Sequence, residues 1–112
     1  MAIRIVRFDP ATAHAAHEGT ILASPVIPEE TKAPFGHAYG YLENGGEMEL
    51  HKHPALEIYI VYEGTGTVVI DGEEAEVGPG DVIDIPPNKL HTMRGKPGVP
   101  FLWAAFWWPA VE

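Results

Sequence analysis

Most of the chain beyond residue 36 alternates short apolar runs with turn-forming residues. The runs include LEIYIVYE at 56–63, GTVVI at 66–70, VIDI at 82–85 and FLWAAFWW at 101–108. Gly, Pro, Asn and Asp bound these runs, which is the pattern of an all-β sandwich or barrel. We therefore predict one all-β domain over residues 1–112. Less than about a tenth of it should be helical, against about 30–35 % in an average globular protein.

The segment before residue 37 has weaker signals, and we interpret about residues 1–36 as an N-terminal arm. DPATAHAAHE carries a helix-capping Asp9, which predicts one or two helical turns at most. His14 and His17 lie three positions apart there, but no third ligand is near them in sequence, so we interpret both as solvent-exposed. Prolines interrupt ILASPVIP, which favours an edge strand or an arm over the centre of a sheet.

The stretch HKHPALE at 51–57 holds two histidines and a glutamate that one ion could bind only if the chain bends. On a straight strand His51 and Glu57 would lie roughly 20 Å apart, at about 3.3 Å per residue. Pro54 cannot donate a hydrogen bond to a sheet, so a bend there costs little. His51 and His53 then point to one side at a strand end, and Glu57 can return beside them. His91, far along the chain, can join them only if the sheet closes into a barrel.

Composition excludes several classes of function. Seven basic and sixteen acidic residues give a formal net charge of −9, which argues against nucleic acid and anionic membranes as partners. Apolar runs are far shorter than the ~20 residues of a membrane span. The absence of cysteine rules out disulfides and thiolate metal sites, and together with the lack of a signal-peptide pattern it favours a cytoplasmic protein.

Two motifs between residues 45 and 95 give the sequence a specific resemblance. GGEMELHKHPALEIYIVYEG places glycines and metal-ligand residues at the spacing of the first cupin motif, and GDVIDIPPNKLHTMRG resembles the second. The positions that match are Gly45, His51, His53, Glu57, Gly64, Gly80, Pro86 and His91. Asn88 replaces the usual glycine, which is a mild change because Asn tolerates left-handed backbone. Gly95 replaces the closing asparagine, which is not a metal position.

The resemblance implies a small single-domain cupin, a jelly-roll β-barrel also described as a double-stranded β-helix. It implies that His51, His53, Glu57 and His91 hold one divalent ion inside the barrel. Three imidazoles and one carboxylate suit Fe, Mn, Zn, Ni or Cu better than Ca or Mg. Four protein ligands would leave coordination positions open for a substrate.

Residues outside the motifs are candidates for the wall of a pocket. Tyr59 and Met93 share the strand parity of Glu57 and His91, so both should face the interior. We name His37 and Tyr59 as candidate catalytic residues, because a histidine beside a metal can shuttle protons or bind substrate.

The C-terminal strand FLWAAFWW is apolar on both faces, and its sequence does not tell which face lines the cavity. One face should pack in the core, and the other needs a partner. We therefore expect a homodimer.

Function follows from the resemblance only as a class. The leading hypothesis is a metal-dependent enzyme of oxygenase, isomerase, decarboxylase or lyase type that acts on a small organic molecule. The alternative is a non-catalytic cupin module that binds a sugar or a metabolite. The fold supports many chemistries, so the ligand set alone does not choose between them.

Overall fold

The computed structural model describes residues 2–109, and within that range the chain forms strands joined by turns, with one short 3-10 helix at Glu29–Thr31. No α-helix occurs in this part of the chain, so the all-β prediction is confirmed. The strands are β1 His14–Ala16, β2 Ile21–Ser24, β3 Gly36–Leu42, β4 Leu56–Glu63, β5 Gly66–Ile70, β6 Glu73–Val77, β7 Val82–Ile85, β8 His91–Arg94 and β9 Phe101–Trp108.

The strands form two antiparallel sheets around one core, which is the jelly-roll arrangement that the resemblance implies. The larger sheet has the order β1-β2-β3-β9-β4-β7, and the smaller has the order β6-β5-β8. All strands that are neighbours in either sheet pair in antiparallel orientation. No helix among residues 2–109 is long and apolar enough to cross a membrane.

Strand register fixes which residues point into the barrel. Glu57 on β4 pairs with Trp107 on β9, and Tyr59 pairs with Ala105. Tyr59 and Trp103 are almost completely buried in the core. The face of β9 that carries Phe101, Trp103, Ala105 and Trp107 therefore lines the interior, which answers the question that its sequence left open.

The N-terminal segment differs from the expectation of a helical turn and an arm. Asp9 does cap one turn, since its carboxylate accepts a hydrogen bond from the amide of Ala11 at 2.9 Å, but no helix follows. Residues 21–24 pair on one side with β1 and on the other with β3, inside the larger sheet. This is possible because Pro25 comes directly after the last residue of β2, where no ladder hydrogen bond is lost.

Two turns adopt the left-handed backbone that their residues predict. Asp71 and Gly72 connect β5 to β6 with φ values of 48° and 84°, as a two-residue hairpin of the Asp-Gly type requires. Asn88 has a φ of 63°, so it takes the conformation of the glycine that it replaces. The Asn88 amide donates to the carbonyl of His53 at 2.8 Å, and this turn therefore joins the two motifs.

Candidate metal centre

The structure brings the four predicted ligands together at one end of the barrel. One potential ligand atom from each of His51, His53, Glu57 and His91 lies within 4.8 Å of the others. Two ligands at about 2.1 Å from a shared ion are at most about 4.2 Å apart, so a small contraction would close the group on one ion.

Backbone pairing explains how residues so distant in sequence meet. His51 and His91 face each other in an antiparallel bridge, with amide-to-carbonyl distances of 3.2 and 2.9 Å. Their ring centroids lie 4.3 Å apart. Glu57 enters from the start of β4, on the interior side of the strand. The bend after His53 thus removes the separation that a straight strand would impose.

Each histidine is oriented by the ring nitrogen that points away from the centre. The Nδ1–H groups of His51, His53 and His91 donate to the carbonyls of Glu49, Ala55 and Lys89, at 2.8, 3.2 and 2.9 Å. A carbonyl oxygen can only accept, so the proton of each neutral ring sits on Nδ1. All three Nε2 lone pairs therefore remain available as ligands, which is how proteins commonly orient metal-binding histidines.

Nε2 atoms of the cluster face the Glu57 carboxylate, an arrangement that suits a cation. Nε2 of His53 lies 2.9 Å from Oε1 of Glu57, and Nε2 of His91 lies 3.3 Å from the same oxygen. With the ring protons on Nδ1, both Nε2 atoms carry only a lone pair, and each faces a carboxylate oxygen that can also only accept. Nε2 of His91 is buried and makes no hydrogen bond within residues 2–109. A buried polar atom without a partner is costly, and a divalent ion would satisfy it together with the other three.

Burial also keeps the cluster in a form that can bind metal. Removal from water lowers the pKa of His51 below its usual value, which outweighs the opposing effect of its hydrogen bond to Glu49. His51 is therefore neutral near pH 7, and a neutral imidazole is the form that ligates an ion.

His17 is a component of the site that the sequence did not reveal. Its ring centroid lies 4.4 Å from that of His51, at the tip of the β1–β2 hairpin. Thr20 fixes this tip, because its hydroxyl donates to the His17 carbonyl at 2.6 Å and accepts from the amide of Glu49 at 2.9 Å. The interpretation of His17 as solvent-exposed is wrong, since its side chain is about one-third exposed and burial lowers its pKa. The only signal in the sequence was the turn-forming residue Gly19. In the structure His17 and Glu18, which precede it, both have positive φ.

The two candidate catalytic residues lie in different places. Tyr59 faces the interior as predicted, with its ring centroid 6.0 Å from that of His91. His37 pairs with Phe106, which pairs with Ile58, so it lies on the opposite face of the sheet from Glu57. Its Nδ1 accepts hydrogen bonds from the amides of Val26 and Ile27 at 3.2 and 3.3 Å. The expectation that His37 lies beside the ion is therefore corrected, because strand parity turns it outward.

Met93 also points inward, and the prediction that it shares the interior side with His91 is confirmed. Its side chain is completely buried in the hydrophobic core. Because β8 pairs with β5, Met93 lies opposite Val68, which is also buried in the core.

Two cavities meet at the ligand cluster. A chamber of about 180 Å³ is bounded by His17, His51, His53, Glu57 and Trp107. A second cavity of about 200 Å³ extends from it into the barrel between the larger sheet and the core. His17, Glu57 and Trp107 border both. A still larger cleft lies near Asp71 and Glu74, away from these residues.

Comparison of the sequence with known proteins identifies relatives of this chain. The chain is 33 % identical over 104 residues to the uncharacterized protein MJ1618 of Methanocaldococcus jannaschii, covering 89 % of this chain and 82 % of the relative. It is 32 % identical over 69 residues to the L-ectoine synthase of Hyphomonas neptunium, covering 60 % of this chain and 51 % of the synthase. The chain thus spans about half the length of that enzyme.

Solved structures and a family model agree on the fold. A Cupin 2 conserved barrel domain protein from Salinispora arenicola superposes with a TM-score of 0.84 at 28 % identity, covering 98 % of this chain and 92 % of that one. The Cupin_2 model, a cupin domain, matches residues 39–107, which include both motifs and all four clustered side chains. The chain therefore belongs to the cupin family.

Proposed function

We propose that this protein is a metal-dependent enzyme that acts on a small organic molecule, with one divalent transition-metal ion held by His51, His53, Glu57 and His91. One observation carries the proposal: three Nε2 lone pairs converge on a buried carboxylate, and Nε2 of His91 lacks a hydrogen bond in the described chain. When bound, such an ion supplies Lewis acidity or oxygen activation.

The protein's own side chains would prepare the site for that chemistry. The Nδ1–H bonds to backbone carbonyls hold the three imidazoles in one tautomer before any ion arrives. The Glu57 carboxylate, only 7 % exposed, supplies the negative charge that offsets part of a divalent ion's charge. Tyr59 borders the adjoining cavity, and its catalytic role stays a prediction.

Elemental analysis of protein purified without added metal is the first test. We expect close to one equivalent of Fe, Mn, Zn, Ni or Cu per chain in the wild type, and strong loss in Glu57→Gln, which removes the charge and keeps the shape. Glu63→Gln is the matched control, because that side chain is exposed at the far end of the same strand and outside the ligand cluster, and it should retain the metal. A wild type without metal, which also binds none on titration, would contradict the proposal.

Turnover separates the enzyme from the non-catalytic alternative. The enzyme converts a substrate at a rate that chelation abolishes and that restoring the metal recovers. A binding module holds its ligand without converting it, and chelation leaves that affinity unchanged.

We also propose that the chain forms a homodimer through the outer face of its larger sheet. Leu56, Tyr62, Val82 and Trp108 are large apolar residues on this face, and each is 40 % exposed or more. A second copy is the partner that would cover them. Sedimentation of the wild type should give a dimer, and Val82→Glu should shift it toward monomer. A wild type that stays monomeric at high concentration would contradict this. A cytoplasmic location stays a prediction.

A further inference from the structure

The 200 Å³ cavity beside the ligand cluster is created by small side chains on neighbouring strands. Ala23 on β2, Ala38 and Gly40 on β3, and Ala105 on β9 all border it. Larger residues at the three alanine positions would fill the space, whereas Gly40 makes room for the indole of Trp103. The cavity therefore lies where Ala23, Ala38 and Ala105, on three neighbouring strands, lack bulk.

The size of the cavity limits what can occupy it. A cavity of about 150 Å³ lined by apolar side chains can hold benzene, whereas sites for drug-sized ligands measure about 300–1,000 Å³. At about 200 Å³ this cavity matches one six-membered ring with a short substituent.

The chemistry of the wall limits the occupant further. Of the described residues that border the cavity, none is lysine or arginine, so a phosphate or a second carboxylate would find no cation there. The walls are mainly Tyr59, Trp103, Trp107 and alanines. A sugar ring carries hydroxyl groups around its edge, and those that face Ile21, Met48 and the alanines would have no partner, at a cost in free energy. An uncharged apolar ring carries no such groups.

The cavity connects to the ligand cluster through a defined junction. His17, Glu57 and Trp107 border both spaces, and the hydrogen bonds of Thr20 hold His17 in place over His51. A molecule in the cavity can therefore extend one polar end between His17 and Trp107 toward the three histidines.

We propose that the substrate is a small molecule with one apolar ring-sized body, seated in the cavity beside Ala38 and Ala105, and one oxygen-donor end, a carboxylate or an enol, directed at the histidine cluster. The second half of this inference rests on the proposed metal site. The first half rests on the cavity alone.

Benzoate and acetate are suitable probes because they share a carboxylate and differ in the ring. In isothermal titration of the zinc-loaded protein, we expect benzoate to bind at least about tenfold more tightly than acetate, since the ring becomes buried. Benzoate should also change the fluorescence of the tryptophans, because Trp103 and Trp107 border the cavity. Equal affinity for the two acids in zinc-loaded protein would overturn the inference and leave the metal site intact.

Filling the cavity gives the matched test. Ala105→Leu should abolish the preference for benzoate, while the affinities for zinc and for acetate stay within about threefold of the wild type. Ala75→Leu adds the same side chain on the exposed strand β6 and should behave as the wild type. If Ala105→Leu fails to fold, Ala38→Val makes a smaller intrusion and should reduce the preference. A variant that folds and keeps the full preference would overturn the inference.

Benzene binding to the metal-free protein distinguishes failure of the cavity from failure of the metal site. We expect benzene to raise the melting temperature of the wild type and of Ala75→Leu, but not that of Ala105→Leu. If the protein binds no metal, the proposed function fails, and the benzene result then decides whether the cavity accepts an apolar ring. No stabilisation by benzene in the wild type would overturn the assignment of the cavity.

Discussion

On strand β3 the inward residues Gly36, Ala38 and Gly40 are small, and Leu42 packs in the core at the end of the strand, whereas His37 and its outward neighbours are large. The two glycines lack a side chain where the indoles of Trp103 and Trp107 lie directly over them. The outward neighbours, Tyr39 and Tyr41, instead pack against Phe8 of the N-terminal segment, with ring centroids 5.5 and 4.9 Å away.

The interior of the barrel and the outer face of the larger sheet therefore treat a histidine in opposite ways. On the interior side, each imidazole of the cluster uses Nδ1 as a donor and keeps Nε2 available. On the outer side, Nδ1 of His37 accepts two backbone amides and closes the turn after β2. A histidine buried beside an aromatic is thus not a functional signal by itself. The direction of its hydrogen bonds separates a ligand from a structural residue.

The largest expected effect is that of acidification, which should weaken metal binding by the inner histidines and should not act through the outer histidine. Protons and metal compete for the inner Nε2 atoms, and free histidine has a pKa near ~6.5, so binding is favoured at pH 7 and lost below. Burial lowers the pKa of His51, which moves its competition with protons to lower pH. With more than one proton taken up per ion released, we expect affinity to fall more than about tenfold per pH unit as pH approaches 5. Isothermal titration between pH 7 and 5 measures this.

His37→Ala should leave that pH dependence unchanged, because the outer histidine competes for no ion. A pH profile that flattens in His37→Ala would show that the assignment of the two faces is wrong.

Replacing one histidine of the cluster and, separately, the histidine of the outer face should give the next largest difference in metal affinity. His91→Ala should weaken metal binding by at least about 100-fold, because even residues that only support a ligand typically contribute 10–100-fold. The other three ligands remain in place, so weak binding should persist. The barrel should still fold, since its core does not require an ion. His37→Ala is the matched control and should bind metal as the wild type does. Equal affinity in His91→Ala and wild type would remove His91 from the ligand set.

Much of the difference between the inner and the outer histidines can be predicted from the sequence, and the features that cannot be predicted share a physical cause. The spacing of His51, His53 and Glu57 around Pro54 predicts the cluster, because a bend and a two-residue period are local geometry. The left-handed Asn88 follows from its side chain in the same way. His37 was misplaced because alternation shows that two faces exist, but only pairing with β9 determines which face is inside.

His17 was missed for a related reason. Its contact with His51 depends on the β1–β2 hairpin folding over the end of the barrel, and Thr20 makes that contact through residues almost thirty positions away. Interactions between distant segments leave no periodic pattern in a single sequence. Turn residues at 17–19 indicate that the chain reverses, but they do not show what the reversal covers.

Adding one methyl group on the inner face should have a smaller but clear effect on stability. A Cβ at Gly40 would overlap the indole of Trp103, and Trp103 is fully buried, so neither can move freely. We expect Gly40→Ala to lower the free energy of unfolding by about 1–3 kcal/mol, the usual cost of overpacking. Urea denaturation measures the change.

Gly78→Ala is the control for a glycine that has room. Its Cβ would meet Thr65 at 3.4 Å, which is near ordinary contact, and its φ is not in the left-handed range. It should leave stability unchanged or raise it slightly, because alanine restricts the unfolded chain. If the two variants lost the same stability, the indole would not be the cause.

The smallest expected effect lies on the outer face, where a single histidine links stability to pH. Burial lowers the pKa of His37, so the unfolded chain takes up its proton near ~6.5, whereas the folded chain does so only at lower pH. Between these two values the unfolded state binds more protons, and stability therefore falls as pH drops from about 7 towards 5. In His37→Asn this component, one proton at most, is absent, so the metal-free variant should lose less stability than the metal-free wild type over that range. Urea denaturation at pH 7, 6 and 5 in the presence of a chelator gives the two slopes. If His37→Asn keeps the wild-type slope, burial of this ring is not what couples stability to pH, and the outer histidine does not link folding to protonation.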